Sequence, residues 1–540
     1  MKLSKKSLLL LVFGLLLSVV LVACASEPDE GGNNEDTEDA SDDAAEGEAT
    51  DGGELIIANQ SDAVSLDPAG SNDVPSSNVQ ANIFETLVKL DGNMELQPGL
   101  ATEWEAVEDN VWEFTLREGV TFHDGSEFNA EVVKANIERI LDEDVASPRF
   151  FLYEMVEDIE VVDDYTVRFT TEYPFAPFPA HIAHNGGGMV SQDVIEADYE
   201  AMENGEEPGT YISENPVGTG FFKFDSWNPG SEIRLVKNED YWGEPAHLDS
   251  VVFKVVSEGL TRVAELQTGD SHIVDPLNTN DAAQVEGTDG VHVAPQESVS
   301  LSYIGFNTQK EPFDNPDVRK AINMAIDKSP IIDGIYNGYG IPAVGPLAPP
   351  VFGYDENAPG LEYNLEEAKQ LLADAGYEDG FSTTIWTNDT QERVDAATNV
   401  QSQLQELNID AEVEVLEWGT YLERTAQGDH EMFVLGWSTV TGDADYGLYP
   451  LFHSDNVGEP GNRTFLENDE LDAMLEEARR AGDEETRLQL YSDIQAEIAE
   501  LAPMLYLHHQ ELLLGVRDEV QGLTQLPTQI LQLHDVYLEQ

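Results

Sequence analysis

The alternation of apolar and polar positions is clearest between residues 364 and 437, where its period changes from one stretch to the next. Leu365, Ala368, Leu371, Leu372 and Ala375 share one face of a helix, Asn364 with Glu367 supplies an N-cap and capping partner, and Gly376 can end it. Phe381, Thr383 and Ile385 then alternate as a strand, and Val394, Ala397, Val400, Leu404 and Leu407 return to helical spacing. Ile409, Ala411, Val413 and Val415 alternate again, and Met432 to Trp437 reads as a short buried strand. This βαβ rhythm predicts an α/β fold with a parallel or mixed sheet, and such sheets bind ligands outside the carboxyl ends of their strands. Trp386 and Trp437 fall at two of these ends, so the loops Thr387-Asn388-Asp389-Thr390 and Ser438-Thr439-Val440-Thr441-Gly442-Asp443 are the first candidates for a small-molecule site.

The N-terminal pattern is of another kind. Lys2, Lys5 and Lys6 precede an apolar run from Leu8 to Val22, interrupted only by Gly14 and Ser18, and Ala23 leads to Cys24, the one cysteine of the chain. This is the layout of a secretory signal, too short and wrongly flanked for a mature membrane span. Leu21-Val22-Ala23-Cys24 resembles a bacterial lipobox, which implies cleavage before Cys24 and a lipid on its sulfur. Residues 25–53 have almost no apolar content and read as a solvated, self-repelling leash. From Glu54 onward short strands and helices continue without another such linker, and about 490 residues beyond the leader suit two or three domains rather than one core.

Charge narrows the partners. The formal net charge is -80, and the stretch Glu27 to Asp51 holds only twelve of the acids, so most of the excess lies on the folded part. Such a surface repels nucleic acid and anionic headgroups. At an ionic strength of about 1 M the Debye length falls to roughly 3 Å, so this self-repulsion suits a salty habitat. Catalytic signatures are missing: there is no Gly-Lys-Ser/Thr phosphate loop, no His-Glu-x-x-His helix, and Gly436-Trp437-Ser438-Thr439-Val440 lacks the closing glycine of a nucleophile elbow. His508 and His509 are adjacent in a strand-like run and would point to opposite faces. The expectation is a non-enzyme without cofactor or resident metal.

Several ordered strings carry a resemblance. Asp109-Asn110-Val111-Trp112-Glu113-Phe114-Thr115-Leu116-Arg117-Glu118-Gly119-Val120-Thr121-Phe122-His123-Asp124-Gly125 looks like a signature hairpin, and Asn215-Pro216-Val217-Gly218-Thr219-Gly220 like a hallmark turn. Tyr241-Trp242-Gly243, Leu266-Gln267-Thr268-Gly269-Asp270, Gly305-Phe306-Asn307-Thr308 and Pro312-Phe313-Asp314-Asn315-Pro316-Asp317-Val318-Arg319 follow in order. Together, over about 54 to 540, they resemble the family 5 extracellular solute-binding proteins of ABC importers for peptides and nickel. Phe381-Ser382-Thr383-Thr384-Ile385-Trp386 and the tract from Gly436 to Tyr446 look most like the glutathione-binding branch.

The resemblance implies a periplasmic-binding-protein-like type II fold: two lobes with mixed α/β sheets joined by a hinge, with an extra subdomain in the N-terminal lobe. It implies a signal peptide (1–23), lipidated cysteine and linker (24–53), lobe I (54–87, 216–300 and 506–540), the subdomain (88–215) and lobe II (301–505). The ligand would be glutathione or a similar short peptide, delivered to the transmembrane subunits of an ABC permease by a monomer tethered to the outer face of the cell membrane. Other cargo on the same scaffold (α-linked peptides, nickel chelate or haem) and a sensory or adhesive lipoprotein are the alternatives. Asn307, Asn388, Ser438, Thr439 and Thr441 are candidate neutral partners, Trp386 and Trp437 candidate walls, and Arg393 a candidate carboxylate partner because its fork suits that geometry. Peptide binders of the family carry an aspartate three residues after the tryptophan to hold the ligand ammonium. Here that position is Val440, leaving Asp443 or Asp445 to take over, or the amine to be held elsewhere.

Overall fold

The computed structural model describes residues 51–458 and 461–539; the expected signal segment, Cys24 and all but the last three residues of the leash lie outside the described residues. Two mixed sheets carry the fold. The first has seven strands in the order Val291–Glu297, Glu511–Arg517, Ile273–Asp275, Glu54–Asn59, Ser250–Val255, Glu232–Lys237 and Phe222–Asn228. Its centre is parallel, with Glu54–Asn59 between Ser250–Val255 and Ile273–Asp275. Leu55, Ile57 and Ala58 are fully buried, the first two in one apolar cluster and Ala58 in another. A strand covered on both faces explains why this stretch is an apolar run rather than an alternation.

The second sheet has six strands in the order Ile341–Pro342, Met504–His509, Ser300–Phe306, Met432–Ser438, Ser382–Asn388 and Asp410–Leu416. The predicted βαβ units are here. Helix Gln391–Leu404 joins the parallel strands Ser382–Asn388 and Asp410–Leu416, and Met432–Ser438 lies parallel on the other side. Helix Leu365–Asp374 begins where expected: Asn364 Oδ1 accepts the Glu367 N–H at 3.3 Å, and Gly376 takes φ +93° just past the end.

Between strands of the first sheet, the chain builds an antiparallel subdomain of four strands, ordered Ala101–Glu108, Val111–Leu116, Thr166–Thr171 and Val156–Asp163. Phe114, Phe169 and Phe178 meet in its core at centroid separations of 5.3 to 6.1 Å. The same apolar cluster continues to Leu448, Leu451, Tyr491 and Ile498 of the second lobe, so the subdomain and that lobe are packed together. Ala176 N–H donates to the Arg479 carbonyl at 2.8 Å across this seam, and Phe151 stacks on Tyr446 at 5.3 Å.

The chain changes sheet at two adjacent points, through Ser298–Val299 and through Gln510. Ser298 ties them, its N–H and Oγ both donating to the Gln510 carbonyl at 3.1 and 2.6 Å. The sequence expectation ended the second lobe at 505. Strand Met504–His509 instead stays in the second sheet, because its pairing with Ser300–Phe306 continues to His508.

Candidate functional site

A cavity of about 880 Å³ opens between the first sheet's helices and loops and the tip of strand Met432–Ser438. Helix Val74–Ile83 presents its first turn to it: Asp73 caps the helix by accepting the Ser76 N–H at 2.9 Å, and Asn72, Asp73 and Ser77 line the cavity. The segment 522–535, with its short paired strands Thr524–Gln525 and Leu531–Gln532, lies beside this helix, the Leu531 N–H donating to Asn78 Oδ1 at 2.9 Å, and Ser438 and Val440 reach in from the second lobe.

A buried cation lies beside this first turn. Arg149 lines the cavity, is only 2% exposed, and donates to Asn72 Oδ1 at 2.8 Å and Ser77 Oγ at 3.1 Å. Among the described residues no carboxylate pairs with it, and burial lowers its pKa to about 10. Local structure holds the arginine in place. Ser147 Oγ donates to the Ala69 carbonyl at 2.6 Å and accepts the Arg149 N–H at 3.1 Å, fixing the loop after helix Ala130–Leu141. His184 lies beside it with Nε2 3.5 Å from Arg149 Nη1. Gly186 is required here, since a Cβ would fall 2.7 Å from Arg149 Cδ.

A second wall is acidic but internally satisfied. Glu85 accepts from Thr219 Oγ1 at 2.8 Å and from Tyr241 OH and Trp242 Nε1 at 2.7 Å each, while burial still pushes its pKa up. The hallmark turn positions Thr219: a Cβ at Gly218 or Gly220 would come within 2.1 or 2.6 Å of the Ile83 carbonyl, so only glycine lets the turn lie against that helix end. Arg117 covers Trp242 at 4.5 Å from the ring centre. Asp73, Asp91, Glu244 and Asp535 add carboxylates to the lining, and Lys89 another cation.

The residues expected at the site are distributed differently. Ser438 lines the large cavity together with Val440. Thr441 and Asp443 line a second cavity of about 680 Å³, next to the subdomain. Thr439 is buried, its N–H donating to the Val299 carbonyl at 3.0 Å. Asn307 does not face ligand; its Nδ2 donates to the Gly428 and His430 carbonyls at 3.0 and 3.2 Å and pins a turn. Trp386 is a core residue under Arg424 rather than a wall, because the strand runs two residues beyond it to Asn388. Trp437 donates to the Tyr446 carbonyl at 2.8 Å and faces that ring. Arg393 donates to Asn388 Oδ1 at 3.2 Å and covers Trp418 at 5.6 Å; it lines neither cavity, and Asn388 spends its amide on Thr390. Asp443 and Asp445 are engaged by Arg487 and Arg479 at 2.8 and 2.9 Å, so neither carboxylate stands ready for an ammonium. The histidine pair is buried in strand Met504–His509, with His509 Nδ1 3.0 Å from the Ser300 carbonyl.

Sequence reasoning missed Arg149, His184, Glu85 and Trp242. Asp73 with Pro75 is a legible helix start, and Tyr241-Trp242-Gly243 stood out as a motif. Ser147-Pro148-Arg149 has no periodic signal, and only the loop's attachment to Ala69 brings it to the cavity.

With this geometry in place, comparison with known proteins is direct. A family model for bacterial extracellular solute-binding proteins, family 5, middle region, matches residues 95–459. The chain is 32% identical over 484 residues to a glutathione-binding protein GsiB of Salmonella typhi, covering 88% of this chain and 92% of that protein. Among solved structures, HbpA2 from Haemophilus parasuis superposes with a TM-score of 0.82 at 30% identity, over 90% of this chain and all of that one. The periplasmic binding protein DppA from Helicobacter pylori, associated with an ABC transporter and solved with the peptide STSA, gives 0.75 at 35% identity over 91% and 99%.

Proposed function

Because this chain belongs to the bacterial extracellular solute-binding proteins of family 5, we propose that it captures glutathione or a similar short peptide outside the cell and hands it to an ABC permease. The observation that carries this reading is the cavity of about 880 Å³ bounded by both lobes, with a buried cation and several carboxylates in its lining. Its volume falls within the usual range for small-ligand pockets, roughly 300–1,000 Å³. A zwitterionic guest needs countercharges and hydrogen-bond partners for every group it buries. Glutathione carries two carboxylates and one ammonium, with the γ-linkage gathering the amine and one carboxylate at the same end. Val440 at the tip of the second lobe cannot hold that amine, whereas Asp73, Asp91, Glu244 and Asp535 border the same space. A short α-peptide is the second reading, favoured by the likeness to the STSA-bound DppA.

Capture follows from lobe geometry. The paired crossings at Ser298–Val299 and Gln510 form the hinge, and ligand touching both lobes shifts the population toward the closed form. A micromolar dissociation constant corresponds to about 8 kcal/mol, enough to offset a modest preference for opening. Lipid on Cys24 and the acidic leash would keep the body outside the cell within reach of its permease; Cys24→Ser should release the protein into the medium.

Calorimetry at high salt with glutathione, dipeptides, a pentapeptide and nickel-histidine tests the cargo. Glutathione is expected to bind with a micromolar constant or tighter, and a response to α-peptides alone transfers the assignment to the second reading.

A further inference from the structure

Three buried guanidinium groups lack a carboxylate ion pair among the described residues, and of these Arg149 alone lines either of the two cavities described above. Arg262 is ringed by the carbonyls of Val256, Ser257 and Pro276 at 2.8 to 3.1 Å. Arg319 is ringed by those of Phe313, Leu501 and Ala502. Backbone carbonyls offset both charges, and neither residue lines either of the two cavities described above. Arg149 instead donates to two neutral side chains, Asn72 and Ser77, which leaves one N–H on each terminal nitrogen.

His184 sharpens the contrast. Its Nδ1 accepts the Gly186 N–H at 3.0 Å, and a neutral imidazole has one acceptor and one donor nitrogen, so its proton sits on Nε2. Burial and the adjacent Arg149 hold its pKa well below the ordinary value, which keeps the ring neutral. Nε2–H therefore cannot accept from Arg149 Nη1, although the two nitrogens are only 3.5 Å apart. Two donors, one of them charged, line the cavity side by side, and among the described residues neither donates to a carboxylate. Resting on the peptide-capture reading, we propose that Arg149 and His184 form the seat for a carboxylate of the ligand, one oxygen bridging Arg149 Nη1 and His184 Nε2. Asn72 and Ser77 orient the guanidinium and set the position of this seat at the first turn of helix Val74–Ile83. Ligand class follows: a guest with a free carboxylate at the end buried against the first lobe, rather than at the strand tips of the second.

The experiment alters protein and ligand together. Glutathione and its diethyl ester are titrated by calorimetry into wild type, Arg149→Gln, Arg149→Lys and His184→Asn, where asparagine keeps an acceptor for Gly186 N–H and removes the Nε2 donor. Arg149→Gln should weaken glutathione binding about 100-fold, Arg149→Lys about tenfold because charge survives without the fork, and His184→Asn about fivefold. Esterification should weaken binding to wild type by a clearly larger factor than to Arg149→Gln, since one of the two carboxylates it blocks is the one that Arg149 holds. If wild type binds glutathione and the ester equally, the carboxylate seat is wrong while peptide capture stands, and this arm needs no variant to fold. Losses that simply add between ester and Arg149→Gln would also overturn it. Wild type that binds neither glutathione nor any peptide of the panel removes the underlying reading, and the seat with it.

Discussion

Arg139 and Arg149 stand ten positions apart, and each is 2% exposed. Arg139 grips Asp67 with both terminal nitrogens at 3.2 and 2.8 Å and reaches Asp198 at 2.8 Å. Burial disfavours its charge, but the two carboxylates more than offset that, and its pKa rises. Arg149 has no such ion pair among the described residues, and burial lowers its pKa. The same residue type at the same depth is thus a structural tie in one region and a waiting charge in the other. Along the seam with the second lobe, Arg479 with Asp445 and Arg487 with Asp443 repeat the structural pattern. A buried charge identifies a ligand seat only where its electrostatic partner is missing and a cavity begins.

The largest effect that could break this comparison is on stability. Arg139→Ala leaves Asp67 and Asp198 buried without a cation and should cost about 3–5 kcal/mol in chemical denaturation. A loss under about 1 kcal/mol would mean the triad is not structural. Asp275 is the reciprocal of Arg149, a half-buried carboxylate that accepts from Asn78 Nδ2 at 3.1 Å, and desolvation raises its pKa to about 7. In the unfolded chain an aspartate ionises near 3.9, so between about pH 4 and 7 the folded state holds the extra proton. Asp275 therefore favours folding below about pH 4 and this contribution is lost as pH rises to 7, with a slope of at most about 1.4 kcal/mol per pH unit. Asp275→Asn should remove that downward component, seen as a variant that gains on wild type as pH rises through this window.

Arg149→Gln should behave oppositely to Arg139→Ala when no ligand is present. Removing an unpaired buried cation should leave stability unchanged or raise it by up to about 1 kcal/mol. A loss as large as that of Arg139→Ala would place Arg149 among the structural ties. The smallest effect concerns salt. Raising sodium chloride from about 0.1 to 1 M shortens the Debye length from about 10 to 3 Å, so the thermal midpoint of this strongly acidic protein should rise by a few degrees. The gap between wild type and Arg139→Ala should stay constant, because buried pairs are screened little.

How much of this was legible depends on range along the chain. The Asn364 cap, the helix it starts and the parallel strands around Gln391–Leu404 were readable because their causes are local: period, cap and turn residues within a few positions. The site was not. Trp386 sits where the alternation put it, but a strand two residues longer than expected turned a supposed wall into core. Asp443 and Asp445 carried the right charge for an ammonium, yet arginines 44 and 34 positions later had already taken them.

The sequence by itself determined the elements of the second lobe, the family's ordered motifs and a surface charge far from neutral, since each follows from residue type and short-range spacing. Only the tertiary structure decided which charges are neutralised and which face the cavity. Coulomb energy depends on separation in space and on burial, and Asp67 and Asp198 reach Arg139 from 72 and 59 residues away, while among the described residues no carboxylate forms an ion pair with Arg149 and Asp73 acts on it only from a distance.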